Sequence, residues 1–176
     1  EPGADALGGH VRSVVGGLGR VVHGPEATDG NGVAGRGVPV PMRIDIWSDV
    51  VCPWCYLGSR RLSAAIDQVG SEGIEVHWRA FQLDPAAPPE PGDLRTALDR
   101  KYGPGAFDSM TPRLVALGQE VGIDYRFDRA LRVNTADAHR LIAWAAGSDA
   151  QGALVDRLFE DYFTNGVDPS DPAMLV

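Results

Sequence analysis

The chain has 176 residues, of which 44% are hydrophobic, and this is enough material for one ordinary domain or two small ones with a core. Its 24 acidic and 16 basic side chains give a formal net charge of −8, which argues against nucleic acid and anionic membrane surfaces as partners. No apolar run approaches the roughly 20 residues that cross a bilayer. Since the 2 cysteines do not form a framework of the secreted kind, we expect a globular protein of the cytoplasm.

The first part of the chain, residues 1–41, is rich in glycine and proline and carries scattered valines. It shows neither a helical nor a strand period long enough to pack, so we predict that it is disordered. Met42 stands directly before the first convincing strand. It is therefore a candidate for the natural start of the protein.

Residues 42–84 follow the pattern strand, helix, strand. Residues 43–51 are β-rich and mostly apolar, as in a strand buried in a parallel sheet. A helical pattern covers residues 53–69, and Gly70 supplies its stop. Residues 74–83 alternate between apolar and polar side chains, which is typical of a strand with one face less buried. These elements predict a βαβ unit with a right-handed crossover.

Two cysteines open the helix of this unit, in the order Cys52-Pro53-Trp54-Cys55. Residues three apart on a helix share a face, so the two thiols can form a disulfide without a large movement of the backbone. We predict that Cys52 is the N-cap and Pro53 the first helical residue, where the missing N–H costs nothing. Unpaired N–H groups and the helix dipole favour a thiolate there, so we expect Cys52 to be the acidic, attacking thiol.

Three interpretations of this motif compete: thiol–disulfide exchange, zinc binding, and a chance pair of buried thiols. In exchange, Cys52 attacks a substrate disulfide and Cys55 resolves the mixed disulfide. Structural zinc needs four ligands, and the chain has no second cysteine pair and no histidine with paired spacing to the cysteines. We therefore predict no metal site, and the strand–turn–helix context favours exchange.

Three neighbouring residues could adjust the chemistry of the thiols. Asp49 could modulate the proton affinity of Cys52 or relay a proton to Cys55, although an aspartate at this point more often only ends a strand. Pro53 and Trp54 together influence how well the reduced form is stabilised. Trp54 could also offer an apolar contact surface to a substrate.

The remaining chain divides into a proline-rich linker, residues 85–92, and a helical region, residues 93–176. Proline removes ladder donors and restricts the residue before it, so the linker cannot be a helix or a central strand. Capping residues indicate helix starts at four places: Asp93, Thr111-Pro112, Asn134 or Thr135, and Asp171-Pro172. Another helix carries apolar residues between Leu154 and Phe163. The last start lies within one turn of Val176, so we expect a C-terminal truncation.

Three stretches of sequence carry a resemblance to a known family: residues 44–58, which include the cysteines, residues 78–85 and residues 134–140. With the element order, they resemble the DsbA-like branch of the thioredoxin fold, and more closely its FrnE-type members. The resemblance spans residues 42–176. It implies an α/β fold in which a thioredoxin-like βαβ half, residues 42–84, is followed by an inserted all-helical domain, residues 93–176, with the second half of the sheet missing.

The resemblance also implies an activity, that of a thiol–disulfide oxidoreductase acting as a reductase or isomerase. Cys52 would be the nucleophile and Cys55 the resolving thiol. No cofactor is implied beyond this redox-active pair, with an external thiol as electron donor or acceptor. The implied partner is a disulfide-containing protein, a small thiol or a metabolite. In this fold a cis-proline loop in the second half of the sheet faces the cysteines, and the chain ends before it.

Two other functions stay open. Kappa-class glutathione transferases and hydroxychromene carboxylate isomerases share this architecture, but they typically place a serine where Cys52 stands and lack the second thiol. A noncatalytic binding or chaperone domain is the other alternative, with Trp54 and the helical layer as its apolar surface. The sequence does not reveal the oligomeric state.

Overall fold

The computed structural model of the chain describes residues 41–175, and the disorder predicted for the preceding residues lies outside this range. Strand β1, Met42–Ser48, and strand β2, Ile74–Ala80, pair in parallel, with each residue of β1 opposite one of β2. Helix α1, Pro53–Val69, connects them, and Gly70 ends it with a positive φ of 90°. The predicted βαβ unit is therefore present.

Both strands are shorter than predicted. β1 ends at Ser48 because the chain then turns: the N–H of Cys52 donates to the carbonyl oxygen of Asp49 at 3.0 Å. The prediction of a buried first strand was wrong, since most of β1 is exposed or half-buried and the Trp47 side chain is 63% exposed. Its only ladder partner in residues 41–175 is β2, and two strands cannot bury each other's faces.

The second part of the structure consists mainly of helices. They are α2 Leu94–Tyr102, α3 Ala106–Gln119, α4 Ala136–Trp144, α5 Ala150–Glu160, a π-helical turn Asp161–Asn165 and a 3₁₀ turn Pro172–Met174. A two-residue antiparallel ladder between β3, Gly92–Asp93, and β4, Leu131–Arg132, was not predicted. It joins the end of the linker segment to the segment before α4.

Three of the predicted helix starts are confirmed. The Asp93 carboxylate accepts from the N–H of Thr96 at 2.7 Å, and the Asp171 carboxylate accepts from that of Ala173 at 2.9 Å. Thr135 is the N-cap of α4, where the side chain of the preceding asparagine accepts the first free N–H at 2.9 Å. These side chains satisfy donors that a helix leaves unpaired at its start.

The start of α3 differs from the prediction. The helix begins at Ala106, and Pro112 lies inside it, with Thr111 donating its hydroxyl to the carbonyl oxygen of Phe107 at 2.9 Å. The earlier start is stabilised from outside the helix, because the Asp99 carboxylate accepts the N–H of Phe107 at 3.0 Å. Because this cap comes from α2, the sequence around the start of α3 does not reveal it.

An aromatic cluster joins the βαβ unit to the helices. Tyr56 of α1 stacks on Phe159 of α5 with ring centroids 5.1 Å apart, and Trp78 of β2 meets the same ring edge-on at 6.3 Å. All three side chains are buried. The Gln151 side chain of α5 also bonds the backbone N–H of Trp78 at 3.1 Å and its carbonyl oxygen at 3.2 Å. Helix α5 therefore pairs with backbone groups of β2 that no strand uses.

Candidate active site

The two cysteines lie at the start of α1, as the sequence predicts. Cys52 is the N-cap, in an extended conformation with φ −90° and ψ 110°, and Pro53 is the first helical residue. The carbonyl oxygen of Cys52 accepts the N–H groups of Cys55 at 3.0 Å and of Tyr56 at 3.2 Å. Both thiols are free and half-buried. The turn therefore places two reduced sulfurs next to each other at a helix N-terminus.

The two thiols influence each other's pKa. A hydrogen bond from the Cys52 thiol lowers the pKa of Cys55 to about 7, and the same bond, followed by burial, raises the pKa of Cys52. A thiol donor one helical turn away stabilises the thiolate that accepts its hydrogen bond. These shifts describe the pair with Cys52 protonated, and the role of Cys52 as the acidic, attacking thiol stays a prediction.

Other groups around the sulfurs also shift the two pKa values, and most of them favour charge on Cys52 over charge on Cys55. The backbone N–H groups of Cys55 and Trp54 lower the pKa of Cys52, although neither makes a capping hydrogen bond of normal geometry. The Asp49 carboxylate raises the pKa of Cys55 electrostatically, while the backbone N–H of Asp49 lowers it. The helix start thus favours charge on Cys52 and the neighbouring carboxylate disfavours charge on Cys55.

A cavity of about 740 Å³ opens next to the motif. Cys52, Pro53 and Trp54 line one wall, and the rest of the lining is largely apolar, with Arg100 and Lys101 among it. Trp54 is 51% exposed, while Cys55 packs against the hydrophobic core. A substrate in the cavity therefore meets the sulfur of Cys52 first.

Asp49, which the sequence analysis singled out, is buried beside the motif with 1% of its surface exposed. One carboxylate oxygen accepts the backbone N–H of Leu83 at 2.7 Å. The other lies 3.2 Å from Nε2 of His139 in α4, which is also buried. The carboxylate is therefore held by two donors, and its electrostatic effect falls on Cys55.

The three stretches that carry the family resemblance meet at this point of the fold. Besides the Asp49–His139 contact, Arg132 pairs with Asp84 at 2.7 Å. The Gln82 amide nitrogen lies 3.4 Å from side-chain oxygens of both Asn134 and Thr135. From the sequence, Asn134 or Thr135 was predicted only as a helix cap, and His139 was not singled out. The missed signal was a histidine on the apolar face of α4, next to the buried Ala138.

Tyr125 is a second residue that sequence reasoning missed. Its hydroxyl donates to the carbonyl oxygen of Pro53 at 2.5 Å, across 72 positions of chain. Burial raises the pKa of Tyr125, so the hydroxyl stays a donor. Gly118 makes room for the ring, because a Cβ there would lie 2.5 Å from a Tyr125 ring carbon. Nothing in the local sequence around Tyr125 indicates this contact.

No group of three or more histidine, cysteine, aspartate or glutamate side chains within residues 41–175 could hold a metal ion. Among the helices of the same range, none is long and apolar enough to cross a membrane.

A parallel βαβ unit with two thiols at its helix start, packed on a layer of helices, defines a thioredoxin fold of the DsbA-like type. The chain belongs to the DSBA-like thioredoxin domain family, whose sequence profile matches residues 43–176. The predicted family and fold class are thereby confirmed, while the FrnE-type branch stays a prediction. Proteins of this family work through cysteine redox chemistry without a cofactor.

Three solved structures are similar to the chain. A probable DsbA oxidoreductase, SCO1869 from Streptomyces coelicolor, shares 32% identity with a TM-score of 0.69, over 76% of this chain and 59% of that one. Cytosolic disulfide reductase DsbM from Pseudomonas aeruginosa shares 17% with a TM-score of 0.53, over 76% and 60%. A 2-hydroxychromene-2-carboxylate isomerase shares 20% with a TM-score of 0.52, over 76% and 64%. The chain thus spans less than two thirds of the length of each of these proteins.

Proposed function

We propose that the chain is a thiol–disulfide oxidoreductase that reduces or rearranges disulfides with the Cys52–Cys55 dithiol. One observation carries the proposal: Cys52 lines a cavity large enough for a substrate, and a second thiol lies one helical turn behind it. Membership of the DSBA-like family supports the same chemistry.

The proposed reaction has two steps. In the first, the Cys52 thiol passes its proton to the Cys55 sulfur, and the resulting Cys52 thiolate attacks one sulfur of the substrate disulfide, forms a mixed disulfide and releases the other substrate sulfur as a thiolate. In the second, Cys55 loses its proton and attacks the Cys52 sulfur, so that the Cys52–Cys55 disulfide forms and the second substrate thiolate leaves. The substrate gains two electrons, and the dithiol loses them. An external thiol then reduces the enzyme disulfide.

The groups around the motif support this division of roles. A thiolate on Cys52 is reachable from the cavity and is favoured by the helix start, while Cys55 is packed against the core. Once Cys52 is bound in a mixed disulfide, it no longer donates to Cys55, and the proton of Cys55 needs another acceptor. Asp49 is the nearby carboxylate that we propose for this role.

A small thiol or a disulfide-containing protein is the substrate class that we propose. DsbM of Pseudomonas aeruginosa shares the fold, is described as a cytosolic disulfide reductase and has also been solved with GSH. In a reducing cytoplasm, where we place this chain, the dithiol form dominates, so reduction or isomerisation is favoured over oxidation of client proteins.

Turnover of a model disulfide by the purified chain tests the proposal. The unmodified chain should reduce an aromatic disulfide with an external thiol as electron source, and Cys52→Ser should abolish this activity. Cys55→Ser should instead accumulate the mixed disulfide, visible as a mass increase on Cys52. Turnover that is unchanged in Cys52→Ser would show that Cys52 is not the nucleophile.

A glutathione-dependent isomerase or transferase is the second candidate, because the fold also matches a 2-hydroxychromene-2-carboxylate isomerase. A noncatalytic binding domain is the third, since Trp54 is 51% exposed beside an apolar cavity. Alkylation of both thiols separates exchange from the other two functions, because it should abolish exchange. Glutathione conjugation by a site that does not use the thiols should persist after alkylation, and so should pure binding. The activity that persists distinguishes these two.

A further inference from the structure

A buried pair of polar side chains, Asp49 and His139, connects the helical layer to the dithiol. Asp49 lies in the turn between β1 and the motif, and His139 lies 90 positions later in α4. Nε2 of His139 is 3.2 Å from the Asp49 carboxylate, and the two side chains are 6% and 1% exposed. An ionised carboxylate only accepts hydrogen bonds, so Nε2 carries the proton in this contact.

As a structural contact that holds α4 in place, the buried Asp49–His139 pair is energetically unfavourable. Burying a carboxylate costs free energy that an apolar pair of similar shape would not require. The second ring nitrogen of His139, Nδ1, is buried and has no hydrogen-bond partner within the described chain, which adds a further cost. A purely structural contact between α4 and the turn would avoid both penalties, so the pair is better explained by a role in the chemistry.

Within residues 41–175, four groups from different elements surround the Asp49 carboxylate. His139 approaches from α4, the Leu83 N–H from the segment after β2, Cys55 from α1 and Tyr162 from the π-helical turn. Burial and the charge of Asp49 raise the pKa of Tyr162, with Asp168 adding to this, and its hydroxyl donates to the carbonyl oxygen of Leu131 at 2.6 Å. Tyr162 therefore keeps its proton.

We propose that His139 is a positioning residue for the resolving step, which fixes the position of the buried Asp49 carboxylate beside the cysteine motif through the 3.2 Å contact with Nε2. This inference rests on the proposed exchange function. In that step the Cys55 proton moves to Asp49, the Cys55 sulfur bonds to the Cys52 sulfur, and the substrate sulfur leaves with the electron pair of the broken bond. Without the His139 donor, the carboxylate loses one of its two hydrogen bonds and its fixed direction.

Single-turnover kinetics with a symmetrical aromatic disulfide separate the two steps. Attack by Cys52 releases one aromatic thiolate, and resolution by Cys55 releases the second, so the absorbance rises in two phases. In His139→Phe we expect the second phase to slow by about 10-fold or more, since positioned proton transfer contributes at least that much, with the first phase changed by less than about 2-fold. The slowing should be largest at low pH, where fewer Cys55 thiols ionise unaided.

Two further variants make the comparison specific. His139→Gln keeps an N–H donor and should recover most of the second-phase rate. His77→Phe replaces the half-buried histidine of β2, which contacts Glu75, and should leave both phases unchanged. Equal slowing of both phases in His139→Phe, or an unchanged second phase, overturns the role of His139. Absence of both phases in the unmodified chain overturns the exchange function itself.

A measurement on the unmodified chain covers the case in which His139→Phe does not fold. If His139 is coupled to the dithiol through Asp49, the coupling is reciprocal, and a change at the cysteines must be felt at His139. Oxidation of the dithiol removes the Cys55 thiol. The ring resonances of His139 in a proton NMR spectrum should therefore shift between the reduced and the oxidised chain. Those of His77 should not move. Identical His139 resonances in both redox states contradict the proposal.

Discussion

The hydrogen bond between the two thiols gives a direct quantitative prediction. The pKa of Cys55 is lowered to about 7, first by the donor of Cys52, while free cysteine titrates near ~8.5. At about 1.4 kcal/mol per pH unit, the contacts favour the thiolate by about 2 kcal/mol, which is the size expected for one hydrogen bond to a charged group. Cys52→Ala removes that donor and leaves burial, which raises the pKa of Cys55 and is the largest of the remaining effects, together with the backbone N–H of Asp49, which lowers it, and the Asp49 carboxylate, which raises it.

We therefore expect the ionisation midpoint of the lone Cys55 in Cys52→Ala to lie above about 8.5. At pH 7 its thiolate fraction falls from about one half to about 3% or less, and the alkylation rate falls with it, since only the thiolate reacts. The rate of iodoacetamide labelling at Cys55, measured against pH, gives the midpoint. Cys52→Ser is the matched control, because its hydroxyl can still donate and should give a lower midpoint than alanine. A midpoint near 7 in Cys52→Ala would refute the assignment of the acidity to the thiol pair.

Three further substitutions test how the site is supported. Gln151→Ala leaves the backbone N–H and carbonyl of Trp78 without their partner. It should lower the free energy of unfolding in urea by about 2 kcal/mol or more, and a loss below about 0.5 kcal/mol would contradict this account. Gly118→Ala places a Cβ against the Tyr125 ring. It should cost about 1–3 kcal/mol in the same assay. The additional loss should be much smaller in a Tyr125→Ala background, where the ring is absent and only the 3.1 Å contact with the Ile123 carbonyl oxygen remains. Asp93→Ala removes the N-cap of α2 and should cost about 1 kcal/mol, whereas Asp93→Asn should be nearly neutral.

The βαβ unit could be predicted because its signals are local. The apolar period of α1, Pro53 at its first position and Gly70 at its end are all contained in one short window, and the structure follows them closely. The motif itself is equally local, since the spacing of two cysteines on one helical turn fixes their proximity. Local signals also placed the starts of α2 and α4 correctly.

The rest of the site depends on contacts between distant parts of the chain. The Asp49–His139 contact spans 90 positions and the Tyr125–Pro53 contact spans 72, and a single sequence has no periodicity that pairs such residues. The same limit applies to the acidity of the two thiols. The rule for a helix start considers one thiol and its backbone, whereas the pKa of each sulfur here depends first on the other thiol.

The helical layer is thus part of the candidate site and not only a cover over it. Tyr125 bonds the first carbonyl of α1, and His139 bonds the carboxylate in the turn before the motif, so the cysteine turn is held on both sides by residues from the helical layer. The Ser59 hydroxyl adds a third link, to Asp156 of α5 at 3.0 Å. Because the acidity of the pair depends on a hydrogen bond between two side chains, small shifts of this support change the proton affinity of the thiols. Thiol reactivity should therefore be lost before the helical layer unfolds as a whole.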